Sequence, residues 1–240
     1  FDGPFGIHQA AADGQIEILR AQLVAASDTS NSLDLNALDG CGFTPLLWAL
    51  RNEPSPLYDC LPGFTPDYRG VVGDLLERGA DPRIAQGTPK PDAQGCIGEY
   101  LPTGATALQY AAASCDLKTA ELLLAHGAEP DSVDAIGDTS LMAAAHAGCP
   151  EVVALLLDRG ASLERQDGHG EGSALVHAVY QNSFVQDNVL TVKLLLERGA
   201  KPQAALEMLE SFLRSETGHG FGRKGLKCAR EIREMLKRAG

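Results

Sequence analysis

Apolar and polar positions alternate along this chain in a two-part cycle. The clearest copy lies between residues 134 and 167. A polar turn, Asp-x-x-Gly-x-Thr, ends in a hydroxyl at Thr139 suited to capping a helix. A run rich in small residues follows from Leu141 to Ala147, which predicts a short helix able to approach its neighbours closely. Gly148 breaks it. Val152, Val153, Leu155, Leu156 and Leu157 then form a wide apolar stripe at helical spacing, which predicts a second helix. Gly160-Ala161 ends it, since glycine takes the left-handed conformation of a helix stop without strain.

The cycle recurs. Gly-Ala pairs fall at 79–80, 127–128, 160–161 and 199–200, and the turn hydroxyl falls at Thr44, Thr106, Thr139 and Ser173. First halves read TPLLWAL at 44–50, TALQYAA at 106–112, TSLMAAA at 139–145 and SALVHAV at 173–179, with IHQAA at 7–11 a weaker copy. Second halves read VVGDLLERGADP at 71–82, TAELLLAHGAEP at 119–130, VVALLLDRGAS at 152–162 and TVKLLLERGAKP at 191–202. Thr106 to Thr139 and Gly127 to Gly160 are both steps of 33 residues. This resembles the ankyrin repeat, with its T-P-L-H-x-A signature and period of about 33. One such helix pair cannot bury its own apolar face; stacked neighbours can.

The resemblance implies an all-α ankyrin-repeat solenoid of helix-turn-helix pairs with short β-hairpin fingers, five repeats and a C-terminal helical cap. The repeats are placed at about 1–38, 39–85, 103–133, 134–166 and 167–202, and the cap at 203–240, in one domain. Spacing departs from the pattern twice. Thr44 to Gly79 takes 35 residues where Thr106 to Gly127 takes 21, so an insertion rich in proline lies near 54–67. A second lies near 87–102. Smaller additions, at 170–172 and near Ser183–Asp187, fall in the fifth repeat. In the last helix Ile232, Leu236 and Met235 face inward, while Glu231, Arg233, Glu234, Lys237 and Arg238 cover the outside, as a cap needs.

Composition narrows the function classes. No run of apolar residues is long enough to span a membrane. The chain begins at Phe1 rather than Met, so a processed or partial form is expected. Its six cysteines, at 41, 60, 96, 115, 149 and 228, lack C-x-x-C spacing, which argues against a zinc site. Cys115 and Cys149 occupy the helix–helix turns of neighbouring repeats, and Cys60 and Cys96 sit in the insertions. Reduced thiols and a cytoplasmic location are expected, with a Cys60–Cys96 disulfide the alternative. Of the net charge of −12, residues 1–134 hold 19 acids and 7 bases, while the remainder is balanced. That makes nucleic acid an unlikely partner and favours a protein with a basic surface. The same acidity also serves solubility alone.

No catalytic constellation emerges. Gly220 to Gly225 matches G-x-G-x-x-G, but a helix precedes it, not the strand that a dinucleotide site requires. The six histidines show no metal-ligand spacing, and His8 sits where the repeat's structural histidine belongs. The expectation is a non-catalytic protein-interaction module (an adaptor, targeting subunit or inhibitor), monomeric alone, with no cofactor and no metal. The alternatives are an ankyrin domain of a larger enzyme, and phosphate or nucleic-acid binding through the basic cap. Carried over from the family by position, the partner-binding residues are Cys41, Phe43, Ile136, Asp138 and His169 on the fingers, with Ala105 and Glu171 beside them. On the first helices they are Trp48, Arg51, Asn52, Tyr110, Ser114, His146, His177, Tyr180 and Gln181. The anchors among them are Phe43, Trp48, Arg51, Tyr110 and Tyr180, because aromatics and arginine dominate interface hot spots.

Overall fold

The computed structural model of the protein describes residues 5–27, 33–51, 66–89, 103–170, 172–180, 186–214 and 223–240. Asn52, Cys60, Cys96, Glu171, Gln181, Gly220–Gly222 and nearly all of both large insertions lie outside these residues. Twelve helices and no strand occur among the described residues. They follow in short pairs: α1 (Phe5–Ala12) and α2 (Ile16–Ser27), α3 (Pro45–Arg51) and α4 (Tyr68–Glu77), α5 (Ala107–Ala113) and α6 (Leu117–Ala125). Then come α7 (Ser140–Ala147) and α8 (Pro150–Asp158), α9 (Ala174–Val179) and α10 (Gln186–Glu197), α11 (Gln203–Arg214) and α12 (Arg223–Ala239).

The chain divides into two compact units, Phe1–Tyr110 with Glu121–Glu129, and Ala111–Ala120 with Pro130–Gly240. In the first, α1 packs on α2 and α3, and α4 on α2 and α3. Ile7, Leu19, Leu46, Leu47, Val71 and Leu75 fill its core. Thr44 caps α3, its hydroxyl oxygen accepting from the Leu47 amide at 3.2 Å, with Pro45 at the first helical position where no donor is needed. Thr106 is capped differently. Gln109, which stands where the motif has histidine, reaches back so that its Oε1 accepts from the Thr106 amide at 2.8 Å.

In the second unit α7 packs on α8, α9 and α10, and α9 on α10 and α11. Thr139 accepts from the Met142 amide, whereas Ser173 makes no side-chain cap bond. Val152, Val153, Leu156, Val192 and Leu195 are fully buried, while Leu155 and Leu157 of the stripe read from sequence are half-buried at its edges. At the end of α8, Gly160 has φ +89° and the Ala161 amide returns to the Leu156 carbonyl at 2.9 Å. At the C-terminus Ile232 and Leu236 are fully buried and Met235 is half-buried. There α12 packs against α10 and α11, and its Glu231, Glu234, Lys237 and Arg238 face solvent.

The fingers close by hydrogen bonds without becoming strands. Asp39 N–H donates to Phe43 O at 3.0 Å, Asp134 N–H to Asp138 O at 3.1 Å, and Asp167 N–H to Gly172 O at 2.9 Å. Among the described residues the only pairing that reaches β geometry is an isolated antiparallel bridge between Val133 and Thr139. The expected β-hairpins are thus reduced to tight turns, because only a few residues separate the opening acid from the capping hydroxyl. Successive fingers touch: Gly87 N–H donates to Gly42 O at 2.8 Å in the first unit, and Gly168 N–H to Ile136 O at 2.9 Å in the second. Gly137, at φ +84°, permits the latter approach, since a Cβ there would overlap the Gly168 backbone.

The expectation of free thiols is overturned. Cys115 and Cys149 form a disulfide with Cα atoms 5.4 Å apart. That separation is ordinary for a disulfide. The cause is geometric: the two residues lie in the matching helix–helix turns of successive repeats, Cys149 one place further on than Cys115 and so 34 residues away, and stacking brings such turns together. Cys41 is disulfide-bonded as well, and Cys228 is free and buried.

Candidate functional site

One rule of local structure builds both groups of candidate residues. The residue that opens a finger directs its side chain onto the first helix that follows, at the fourth residue after the capping hydroxyl. Asp39 spends Oδ1 on the Cys41 and Phe43 amides, both at 2.9 Å, and Oδ2 accepts from Trp48 Nε1–H at 2.6 Å. In the next finger Gln86 takes the opening place, its amide donating to Ala105 O at 2.8 Å. Tyr110 O–H donates to Gln86 Oε1 at 2.7 Å. In the second unit Asp167 Oδ1 accepts from the His169 amide at 3.0 Å, and Oδ2 lies 3.5 Å from His177 Nε2.

In the first unit this tie assembles an aromatic cluster. Phe43 and Trp48 ring centroids are 4.9 Å apart, and Phe43 and Tyr110 6.3 Å. The Arg51 guanidinium stacks over Trp48 at 4.9 Å and over Phe43 at 5.3 Å. Phe43 and Tyr110 are buried, while Trp48 and Arg51 are half-exposed. Burial pushes the Tyr110 hydroxyl up to about 12, against a smaller opposing effect of Arg51. Phe43 and Tyr110 are therefore interior packing, and Trp48 with Arg51 is the part of the cluster that reaches the surface. Cys41, half-buried in its finger, is held in a disulfide.

In the second unit His177 also lies 3.8 Å from Asp138 Oδ1, so one imidazole faces two carboxylates from successive fingers. Burial pushes the Asp138 carboxyl up, and the like charge of Asp167 adds to this while His177 opposes it. His146 is exposed along one side. The protein behind its ring nonetheless disfavours its charged form, and His177 adds to that effect. A cavity of about 190 Å³ opens here, lined by Asp167, His169, Gly172, Val176, His177, Tyr180 and Met208. Tyr180 stands at its edge, 54% exposed, with Phe212 edge-on at 5.9 Å. Ile136 is 41% exposed on its finger, and His169 and Ser114 face solvent.

The structure thus brings Asp138, His177, His169 and Tyr180 together, and separately Phe43, Trp48, Arg51 and Tyr110. Sequence reasoning missed Gln86, Asp167, Gly172 and Met208. The first two had a signal: each opens a finger as Asp39 does, and in these three fingers the opening side chain meets the residue four after the hydroxyl, whereas Asp134 faces Ala143 at that place and serves its own finger amides. Met208 had none, since it arrives from α11 across the fold.

Paired short helices closed by a left-handed glycine, joined by stacked hydrogen-bonded fingers, define a helical repeat protein. A family profile described as Ankyrin repeats (3 copies) matches residues 68–167 and 108–205, and one described as Ankyrin repeats (many copies) matches residues 7–61. The chain belongs to the ankyrin-repeat family, a general module for protein interaction. It is similar to the B-cell lymphoma 3 protein homolog of Mus musculus, 40% identical over 85 residues, 35% of this chain and 18% of that protein. It is also similar to the ankyrin repeat protein nuc-2 of Neurospora crassa, 31% identical over 202 residues, 83% of this chain and 15% of that protein. The chain therefore spans only 18% and 15% of the length of these two relatives. Among solved structures, an ankyrin repeat domain from Acinetobacter baumannii AYE superposes with TM-score 0.68 at 23% identity, covering 99% of each chain. The ankyrin repeat domain of Bcl-3, described as a unique member of the IkappaB protein family, gives 0.66 at 22%, covering 98% of this chain and 86% of that one. Both likenesses concern the fold. Among the described residues no helix is long and apolar enough to cross a membrane.

Proposed function

We propose that this chain is a non-catalytic interaction module that binds a protein partner through its finger tips and the exposed ends of its first helices. The observation that carries the reading is Tyr180. The fold leaves this large ring 54% exposed at the rim of a partly apolar cavity, beside exposed His169. Buried aromatic anchors supply most of the energy of protein interfaces, and an exposed one beside a cavity fits that use. Ile136 and His146 join it in the second unit, and Trp48 with Arg51 offers a comparable group in the first. The partner presents a basic surface, matched to the acidic 1–134 region, and the chain alone is monomeric. The basic cap is a poorer candidate for phosphate. Arg214, Arg233 and Lys237 converge on Glu210 at 3.3, 3.6 and 3.3 Å, and Lys237 foremost holds that carboxyl below its ordinary range.

The cytoplasmic placement expected from free thiols loses that support with the Cys115–Cys149 disulfide, which is the redox state of an oxidising compartment. The binding reading is tested with purified partner and the variants Tyr180→Ala, Ile136→Ala and Trp48→Ala, each shown folded by circular dichroism. Loss of a true anchor costs about 2 kcal/mol, roughly 30-fold in affinity. Three variants that all bind like the parent would sink the proposal.

A further inference from the structure

The geometry points to a divalent transition-metal site formed by His177, Asp138 and Asp167, with Zn²⁺ the natural occupant. Their ligand atoms, one from each residue, all lie within 4.8 Å of one another. His177 Nε2 stands 3.5 Å from Asp167 Oδ2 and 3.8 Å from Asp138 Oδ1. Tetrahedral zinc, with bonds of about 2.0–2.2 Å, holds its ligand atoms about 3.4 Å apart. The two imidazole–carboxylate spacings need only a small contraction to meet it, and the two carboxylate oxygens, within 4.8 Å of each other, need to close by at most about 1.4 Å. One imidazole with two carboxylates selects zinc or its neighbours in the first transition row over Mg²⁺ and Ca²⁺, which take oxygen alone.

Two further features make this more than a cluster of acids. The first is a missing side chain. A Cβ built on Gly172 would fall 2.6 Å from Asp167 Oδ2 and 3.1 Å from His177 Nε2, so glycine keeps clear the space beside those two ligand atoms. Its backbone does not demand glycine, because its φ lies outside the left-handed region. The residues that precede the capping hydroxyl in the other fingers are Phe43, Ala105 and Asp138, all of which carry a Cβ. The second feature is fixed aim. Asp167 is held by the His169 amide through Oδ1, which leaves Oδ2 turned toward His177. The cavity lined by Asp167, His169, Gly172 and His177 gives an ion its way in and room for a water as fourth ligand.

The test is a titration of the full chain, disulfides intact and free thiols alkylated, with Zn²⁺ by calorimetry and with Co²⁺ by visible absorption. The site predicts saturable uptake of one ion per chain and a Co²⁺ spectrum without sulfur charge transfer. It predicts that His177→Gln and, separately, Gly172→Ala each weaken binding by about tenfold or more, with an unchanged circular dichroism spectrum. Gly172→Ala is the sharper variant, since it removes no ligand and only fills the space. Bound Zn²⁺ also raises the melting temperature of the parent and not of His177→Gln. No saturable uptake would overturn the site, as would uptake undiminished in both variants or a sulfur-ligated Co²⁺ spectrum.

Discussion

At the scale of single residues, the fingers are held by one side chain each. Asp39 satisfies two backbone amides and the indole N–H of Trp48. Asp39→Ala strands those donors, and orphaned part-buried groups cost about 1–3 kcal/mol each at most sites. A loss of about 2 kcal/mol or more is expected in urea denaturation. A change within experimental error would mean that the finger is held by its neighbours. Tyr110 gives a second prediction, in the alkaline range. In the unfolded chain it ionises near 10.0, and in the fold burial defers this to about 12. Below the first value both states are neutral and stability is full. As pH rises toward the second, only the unfolded state ionises, so stability falls. Tyr110→Phe should lose the part of that slope which Tyr110 contributes, measured by denaturation between those two pH values. Phe43 and Tyr110 also show why the site was only half legible in sequence. Position on the repeat named them correctly as first-helix and finger residues, but their exposure depends on Gln86, which the insertion near 87–102 separates in sequence from Thr106 and the helix it caps.

At the scale of elements, the helices were legible because each carries its own stop and start. The small-residue first helix, the leucine-rich second helix and the closing glycine recur with little change, and α7 to α10 stand where the pattern put them. The Cys115–Cys149 bond was harder to see, because metal and redox motifs run along the chain while this pair joins equivalent turns of successive repeats. It closes a loop of 34 residues. Constraining a loop of that length is worth about 3–4 kcal/mol through the unfolded state. The Cys115→Ser, Cys149→Ser variant should lose stability of that order against the oxidised parent, and mass spectrometry of protein alkylated without reductant should show the linked peptide. Equal stability, or two alkylated thiols in protein from its native source, would remove the disulfide from the account. The last helix makes a separate demand. Deleting 226–240 removes fully buried Ile232 and Leu236 from their places against α10 and α11. Aggregation or a large fall in melting temperature follows if α12 is the cap. A soluble truncation with the parent's melt would make it an appendage.

At the scale of the whole molecule, the acidic charge of residues 1–134 and the exposed groups of the second unit play different parts. The charge governs encounter and its salt dependence, and the aromatic and apolar groups govern residence. On the proposed function, the finger tips and first helices meet the partner while the leucine-rich second helices serve the core. Amide hydrogen exchange, compared between the chain alone and the chain with its purified partner, tests it most directly. New protection is expected at 134–142 and 167–180, the fingers and first helices that carry Ile136, His169 and Tyr180. Protection confined to α8 and α10, with those segments exchanging as they do in the free chain, would contradict it.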